Sequence, residues 1–219
     1  SHSIRCYMSP KISDIILLGT DRIHLFDTPL LMCRNQGLSM EQRAFKRVLD
    51  IIISGLGIIV SSPIMLIIAI AVKAYDGGPV FYLQDRLTYK GKEFRIRKFR
   101  SMCVDSEKNG ARLASKHDSR ITPVGHILRN LHLDELPQLF NVFMGDMSLV
   151  GPRPERDVIM QEYEKEIPEF HYRLKVKAGL TGYAQVYGKY NTTPYDKLKL
   201  DLFYIENYSF LLDIKLLFM

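Results

Sequence analysis

The sequence predicts an α+β fold: a mostly helical, membrane-associated domain with a small β-hairpin and an N-terminal apolar helix broken at a proline. Three observations predict it. Residues 51–72, IIISGLGIIVSSPIMLIIAIAV, hold no charged residue across 22 positions, and Ser61-Ser62-Pro63 interrupts them. Extended-type segments flank Tyr89-Lys90-Gly91-Lys92, which has the composition of a hairpin turn. From Tyr195 onward Leu198, Leu202 and Ile205 keep helical spacing while Lys197, Lys199 and Asp201 point elsewhere.

Within residues 1–40, Asp14-Ile15-Ile16-Leu17-Leu18 and Ile23-His24-Leu25-Phe26 read as short strands and Asp27-Thr28-Pro29 as a turn. They are too short to form a domain and are expected to be the linker or tail of a larger N-terminal region. Met40 to Asp50 starts a helix with Arg43, Lys46 and Arg47 on a basic face. The uncharged run that follows is long enough to cross a bilayer. Pro63 removes an i→i−4 hydrogen bond, and the hydroxyls of Ser61 and Ser62 can satisfy the backbone it frees. Two geometries stay open, a kinked span and a hairpin that enters and leaves on one face. Basic residues at both ends, Lys73 being the one after the run, favour two cytoplasmic ends. A buried helix of a soluble core is the bland alternative.

After Asp76-Gly77-Gly78, Pro79 to Leu83 and Glu93 to Phe99 read as the paired strands. They lead into a basic cluster of Arg95, Arg97, Lys98 and Arg100. Residues 105–120, with Lys108-Asn109-Gly110, suggest a loop or short helix, and Ile121 to Leu131 an amphipathic segment. Pro154 to Tyr172 begins as a helix, and Gly179-Leu180-Thr181-Gly182-Tyr183 marks a tight loop. Tyr204, Tyr208 and Phe210 are aromatics of the kind found at membrane interfaces, so the last helical stretch is read either as lying on a bilayer or as covering the domain.

The net charge of +6 and a sequence pI of about 9.1 fit an anionic partner without choosing among phospholipid, nucleotide phosphate and nucleic acid. Nucleic acid fits worst, because no aromatics interleave with the basic cluster. Cys6, Cys33 and Cys103 are odd in number and widely spaced, which gives neither a disulfide nor a zinc framework. The apolar run lies too far from the start to be a signal peptide. No GxxxxGK[ST] or HExxH occurs, and His117, His126, His132 and His171 have no ligand-like spacing.

The stretch from His132 to Glu155, HLDELPQLFNVFMGDMSLVGPRPE, carries the chemistry. Pro137 suits only the first turn of a helix, so Asp134 is expected at or just before a helix N-terminus. There it can be a plain cap, or an ionised nucleophile held near a metal and a phosphate. Lys98 and Arg100, after the hairpin, and Arg153, fixed between Pro152 and Pro154, can face a phosphate. The plain alternatives are a solvated strand face for the first two and an ion pair with Asp146 for Arg153. Combined with an apolar segment, the set points to phosphoryl transfer at a membrane: a carboxylate nucleophile, Mg²⁺ bridging carboxylate and phosphate, and cations stabilising the transferring group.

Many motifs fall in one order: Lys46-Arg47…Asp50, Ser62-Pro63, Gly78-Pro79-Val80-Phe81, Gln84-Asp85-Arg86, Lys98-Phe99-Arg100-Ser101-Met102, Arg120-Ile121-Thr122-Pro123-Val124-Gly125, Leu133-Asp134-Glu135-Leu136-Pro137-Gln138, Gly145-Asp146 to Pro154, and Gly182-Tyr183-Ala184-Gln185-Val186. Over residues 43–215 the chain resembles the bacterial sugar transferase family, the monotopic polyprenyl-phosphate phosphoglycosyl transferases. The resemblance implies transfer of a sugar-1-phosphate from a UDP-sugar to undecaprenyl phosphate with release of UMP. That is the first membrane step of capsule, exopolysaccharide, O-antigen or glycoprotein glycan assembly. It also implies a re-entrant helix broken at Ser62-Pro63, a Mg²⁺ requirement and a ping-pong route at the cytoplasmic face of the bacterial inner membrane.

By the same resemblance Asp134 is the nucleophile, Glu135 assists through metal or proton handling, both are metal ligands, and Lys98 and Arg153 match the family's basic residues. The implied organisation is a linker at 1–40, a basic helix and membrane hairpin at 41–75, and a catalytic domain with interfacial helices at 76–219. Ala178 stands where Pro is common, and Tyr183 where Trp is common. A non-catalytic scaffold that binds anionic lipid or polymer is the alternative function. The sugar, the glycan pathway and the oligomeric state are not legible, although longer members associate, which admits a homo-oligomer.

Overall fold

A computed structural model describes residues 10–18, 20–25, 28–33, 38–104, 118–189 and 191–219. In chain order the elements are α1 (Ile12–Leu18), β1 (Thr20–Leu25), β2 (Thr28–Cys33), α2 (Met40–Asp76), β3 (Phe81–Leu87), β4 (Glu93–Phe99), α3 (Pro123–Asn130), α4 (Gln138–Met144), β5 (Ser148–Val150), α5 (Asp157–Glu166), β6 (Gly179–Thr181), α6 (Tyr183–Tyr187), α7 (Pro194–Glu206) and α8 (Phe210–Leu217). Short 3₁₀ segments lie at Tyr89–Gly91, Leu133–Glu135 and Pro168–Lys175. Helix dominates and the sheets have two strands each, as the sequence predicts: β1–β2 and β3–β4 antiparallel, β5–β6 parallel.

Two local expectations are corrected. Asp14–Leu18 is helical rather than extended. Lys11 N–H donates to the Asp14 carboxylate, and Ile12 and Ile15, one turn apart, enter the core beside α7. Of the two readings open for α7 the domain-covering one fits, since Leu198, Leu202, Tyr204 and Ile205 are buried while Tyr195 and Phe203 stay partly exposed. Leu211 and Phe218, in and just after α8, stand more exposed. The second correction concerns α2, which is helical without interruption from Met40 to Asp76 with Pro63 inside it. Pro63 cannot donate to the carbonyl of Ile59, but Ser62 Oγ does so at 2.8 Å, and Ser61 Oγ donates to Gly57 O at 2.6 Å. The two serines thus repair the ladder at the proline. Phe26, Asp27 and residues 105–117 of the polar stretch lie outside the described residues.

Helix α2 begins with a capping box between Ser39 and Gln42 and ends on Gly77 in the left-handed conformation. It is long and apolar enough to cross a membrane, and only 17% of its most apolar window is buried. Leu56, Ile59, Val60, Leu66, Ile67 and Ile70 all face outward. Its polar residues grip the domain. Lys46 reaches the Asp213 carboxylate and Tyr204 Oη in the interior. Arg47 donates at 2.7 Å to the carbonyls of Val142 and Phe143, capping the C-terminal end of α4. Asp50 Oδ1 accepts from Leu149 N at 2.9 Å and Ser148 Oγ at 3.1 Å. Past the proline, Met65, Ile68 and Val72 form a second small core with Phe99 and Leu128, and Asp76 pairs with Arg100. The basic residues expected on an open face are therefore engaged within the protein.

The hairpin β3–β4 runs in register from Phe81↔Phe99 to Leu87↔Glu93. It is stitched to α4 by the fully buried Asn141, whose Oδ1 accepts from Arg97 N at 3.0 Å and whose Nδ2 donates to Arg95 O at 2.8 Å. Where β5 meets β6, a Cβ on Gly151 would lie 2.4 Å from Lys177 O, and one on Gly179 would lie 2.1 Å from Gly151 N. Only glycine lets the loop after β5 approach β6 this closely. Ala178 N donates to Thr88 Oγ1 at 3.1 Å, a bond that the Pro common at this position could not make.

Candidate active site

The acid pair lies in the 3₁₀ turn Leu133–Glu135 between α3 and α4. Helix α3 is capped by Thr122, whose Oγ1 accepts from Gly125 N at 2.9 Å. The chain then reverses through His132, a non-glycine residue in the left-handed region with φ 55°, a conformation that costs about 1 kcal/mol or more and collects at functional sites. Residue 132 carries none of the patterns that single out a site residue in sequence; only the backbone exposes it. Pro137 precedes α4 as expected, but Asp134 is not its cap, since α4 has no side-chain cap bond.

The two acids have opposite surroundings. Glu135 Oε1 accepts from Lys98 Nζ at 2.6 Å, and Arg153 Nη2 lies 3.5 Å from the same oxygen. Burial alone would raise its pKa, but Lys98 and Arg153 outweigh that and hold the carboxyl below its ordinary value. Asp134 is buried, 8% exposed, and among the described residues no side chain forms a hydrogen bond or ion pair with it. Burial pushes its pKa up, Lys98 pulls it back, and the Glu135 charge pushes it up again. The cationic field on Asp134 comes from Lys98 and Arg129 rather than from a helix end. A carboxylate that is desolvated and free of strong donors keeps its lone pairs available for attack.

Lys98, Glu135 and Arg153 line one crevice with Arg86, Ile96, Gln138, Pro154, Gly179 and Leu180. Asp134 precedes Glu135 in the turn and does not line this crevice; Lys98 acts on both carboxylates. The crevice also takes Gly179 and Leu180 from β6. Arg153 pairs with Glu135 rather than with Asp146, whose Oδ2 accepts from Asn141 Nδ2 at 3.3 Å. Arg100 is committed to Asp76 at the end of α2, packed against Gly78. The structure thus brings Lys98 and Arg153 together on Glu135, sets Asp134 beside Lys98 and Glu135, and places Arg100 at the base of the long helix. Ser62 and Pro63 lie within α2 as described.

The loop that carries Arg153 is held from behind. Arg173 Nη2 donates to Arg153 O at 3.0 Å and Arg86 Nη1 to Pro154 O at 3.2 Å, while Glu155 lies 3.7–3.8 Å from both guanidinium groups. Arg173 Nη2 is also 2.8 Å from Asp201 Oδ2, an ion pair in the interior. Asp201 is fully buried, which pushes its pKa up to about 6 despite Arg173. Arg173 and Asp201 sit in ordinary helical patterns, so sequence reasoning passed over them. Arg86 was quoted only as part of a motif.

Among the described residues no group of three or more His, Cys, Asp and Glu gathers as a metal site. The acid pair fits Mg²⁺ nonetheless, because that ion takes one or two carboxylates and completes its shell with water and substrate phosphates. Asp134, without a side-chain partner, has oxygen lone pairs to give.

A family model described as bacterial sugar transferase matches residues 41–219. Among curated proteins, a UDP-N-acetylgalactosamine-undecaprenyl-phosphate N-acetylgalactosaminephosphotransferase of Aeromonas hydrophila is 44% identical over 176 residues, covering 79% of this chain and 42% of that protein. UDP-glucose:undecaprenyl-phosphate glucose-1-phosphate transferases of Klebsiella pneumoniae and Escherichia coli (strain K12) are 43% and 39% identical over 206 residues, covering 92% of this chain and 43% of each. The chain therefore spans about two fifths of the length of these relatives.

Proposed function

The chain belongs to the bacterial sugar transferase family, and on that premise we propose that it moves a sugar-1-phosphate from a UDP-sugar to undecaprenyl phosphate with release of UMP. The observation that carries this reading is the division of labour in the acid pair. Glu135 anchors two cations at a crevice, and its neighbour Asp134 is buried with no side-chain partner.

In the first step an Asp134 carboxylate oxygen attacks the phosphorus that bears the sugar. The bond from that phosphorus to the bridging oxygen breaks, and UMP leaves with the electron pair. The product is an aspartyl sugar-phosphate. In the second step a phosphate oxygen of undecaprenyl phosphate attacks the same phosphorus and the aspartate carboxylate leaves, restoring the site. Lys98 and Arg153 stabilise the charge on the transferring group, and Glu135 keeps both in place. Asp134 and Glu135 would hold Mg²⁺, and the ion would supply charge neutralisation on the transferring group.

The relatives' names differ in the sugar, so a donor panel is the first test. The chain in nanodiscs, given undecaprenyl phosphate, Mg²⁺ and UDP-linked glucose, galactose, N-acetylglucosamine or N-acetylgalactosamine, is expected to release UMP with one of them. No release from any donor, while the chain stays folded, supports the lipid- or polymer-binding scaffold instead.

We place the enzyme at the bacterial inner membrane with its site on the cytoplasmic face, as the start of a surface-glycan assembly line. The apolar run is about 33 Å long at 1.5 Å per residue, enough to cross a bilayer. Yet Lys46 and Asp50 before it and Asp76 after it are all bonded to the same domain. That supports a helix that dips into one leaflet and keeps both ends on one side. With the native cysteines replaced, Glu41→Cys and Tyr75→Cys are expected to react with a membrane-impermeant thiol reagent from the same face. Labelling from opposite faces contradicts the pose.

A further inference from the structure

The crevice beside the acid pair holds a buried donor that the reaction described above does not use. Gln138, the first residue of α4, is 3% exposed and lines the crevice with Lys98, Glu135 and Arg153, and its side-chain Nε2 has no hydrogen-bond partner. A buried amide N–H without an acceptor is uncommon in native proteins, because it forfeits its hydration and gains nothing in exchange. Its position at the start of α4 is tightly determined, since Asn141 one turn later ties the helix to β4. A second donor on the same crevice wall, Arg86 Nε, is also buried and unpartnered, although the outer nitrogens of that guanidinium are engaged with Gln84 and Pro154. Two N–H groups without an acceptor among the described residues thus share one small opening with the cations Lys98 and Arg153. Glu135 Oε1, already shared by Lys98 and Arg153, is the one carboxylate in the lining.

We propose that the Gln138 side-chain amide is a donor-substrate ligand, hydrogen-bonding a diphosphate oxygen of the sugar nucleotide in the crevice it shares with Arg86, Lys98 and Arg153. This rests on the sugar-nucleotide reading of the site and adds to it a neutral contact. Glutamine suits that place because it offers N–H without adding charge beside the Glu135 oxygen that Lys98 and Arg153 share. It also keeps no proton that could be lost to Asp134.

The test uses UDP as the probe and Gln138→Leu as the variant, in the full chain in nanodiscs. Leucine nearly conserves volume and removes the unsatisfied amide, so the thermal midpoint is expected to hold or rise. UDP is expected to bind roughly tenfold more weakly, and KM for whichever UDP-sugar is turned over to rise by a similar factor, with kcat reduced less. A role in folding alone would move the midpoint and leave UDP affinity unchanged. UDP affinity within twofold of wild type, or no binding of UDP by the wild-type chain, overturns the proposal. Failure of every UDP-sugar to release UMP, with UDP still bound through Gln138, would count against the transfer reaction and leave this contact standing.

Discussion

Replacing Asp134 by Asn is expected to lower UMP release at least about 10³-fold, the scale on which enzymes lose a covalent nucleophile. The change is nearly isosteric and removes a charge that the fold does not use. Among the described residues Asp134 makes no ion pair and caps no helix, and burial already works against its ionised form. The variant should therefore fold as well as the wild type, with a thermal midpoint equal or higher. Glu135 should still hold Lys98 and Arg153, so UDP binding should change little. A loss of turnover with intact binding separates a nucleophile from a substrate anchor.

The second large effect is expected from Lys98→Met, with turnover falling about 10²-fold, the range for removing one preorganised electrostatic contact at a transition state. Its signature is in the pH profile. Asp134 must be ionised to attack, so the acid limb of kcat/KM follows its pKa. Burial has raised that pKa and Lys98 is the largest influence lowering it. Without Lys98 the pKa rises further, a greater fraction of Asp134 is protonated at a given pH, and the acid limb moves to higher pH. Glu135, held low by the same lysine, shifts in the same direction. An acid limb that stays in place or moves to lower pH would show that Lys98 acts on the substrate alone.

These expectations depend on side chains far apart in sequence, which explains what was and was not legible. The β4 strand, Glu93–Phe99, was readable to the residue because a turn and a basic cluster bound it. Asp14–Leu18 was misread because a short apolar run fits strand and helix equally by periodicity. What decided it was tertiary: the packing of Ile12 and Ile15 on α7. The break at Pro63 was misjudged for a local reason. The serine hydroxyls were recognised as able to satisfy freed carbonyls, and Ser62 does so well enough that the helix runs on. The acid pair, Lys98 and Arg153 were nameable from motif order. The commitment of Arg100 to Asp76 was not, since the nearby basic residues look alike until the fold gives one of them a partner. Gln138, His132 and Arg173 were invisible for a simpler reason. An unpaired amide, a left-handed φ and a buried ion pair are properties of coordinates rather than of residue type.

The central claim is that Asp134 carries the sugar-phosphate, and trapping it is the most direct test. The chain would be incubated with its UDP-sugar and Mg²⁺ but no undecaprenyl phosphate, quenched, and weighed intact and after proteolysis. The account predicts a mass increase of one sugar-phosphate on the peptide that contains Asp134, formed with an equal burst of UMP and discharged when undecaprenyl phosphate is added. Steady turnover with acceptor but neither burst nor adduct without it, or an adduct on another residue, would contradict it.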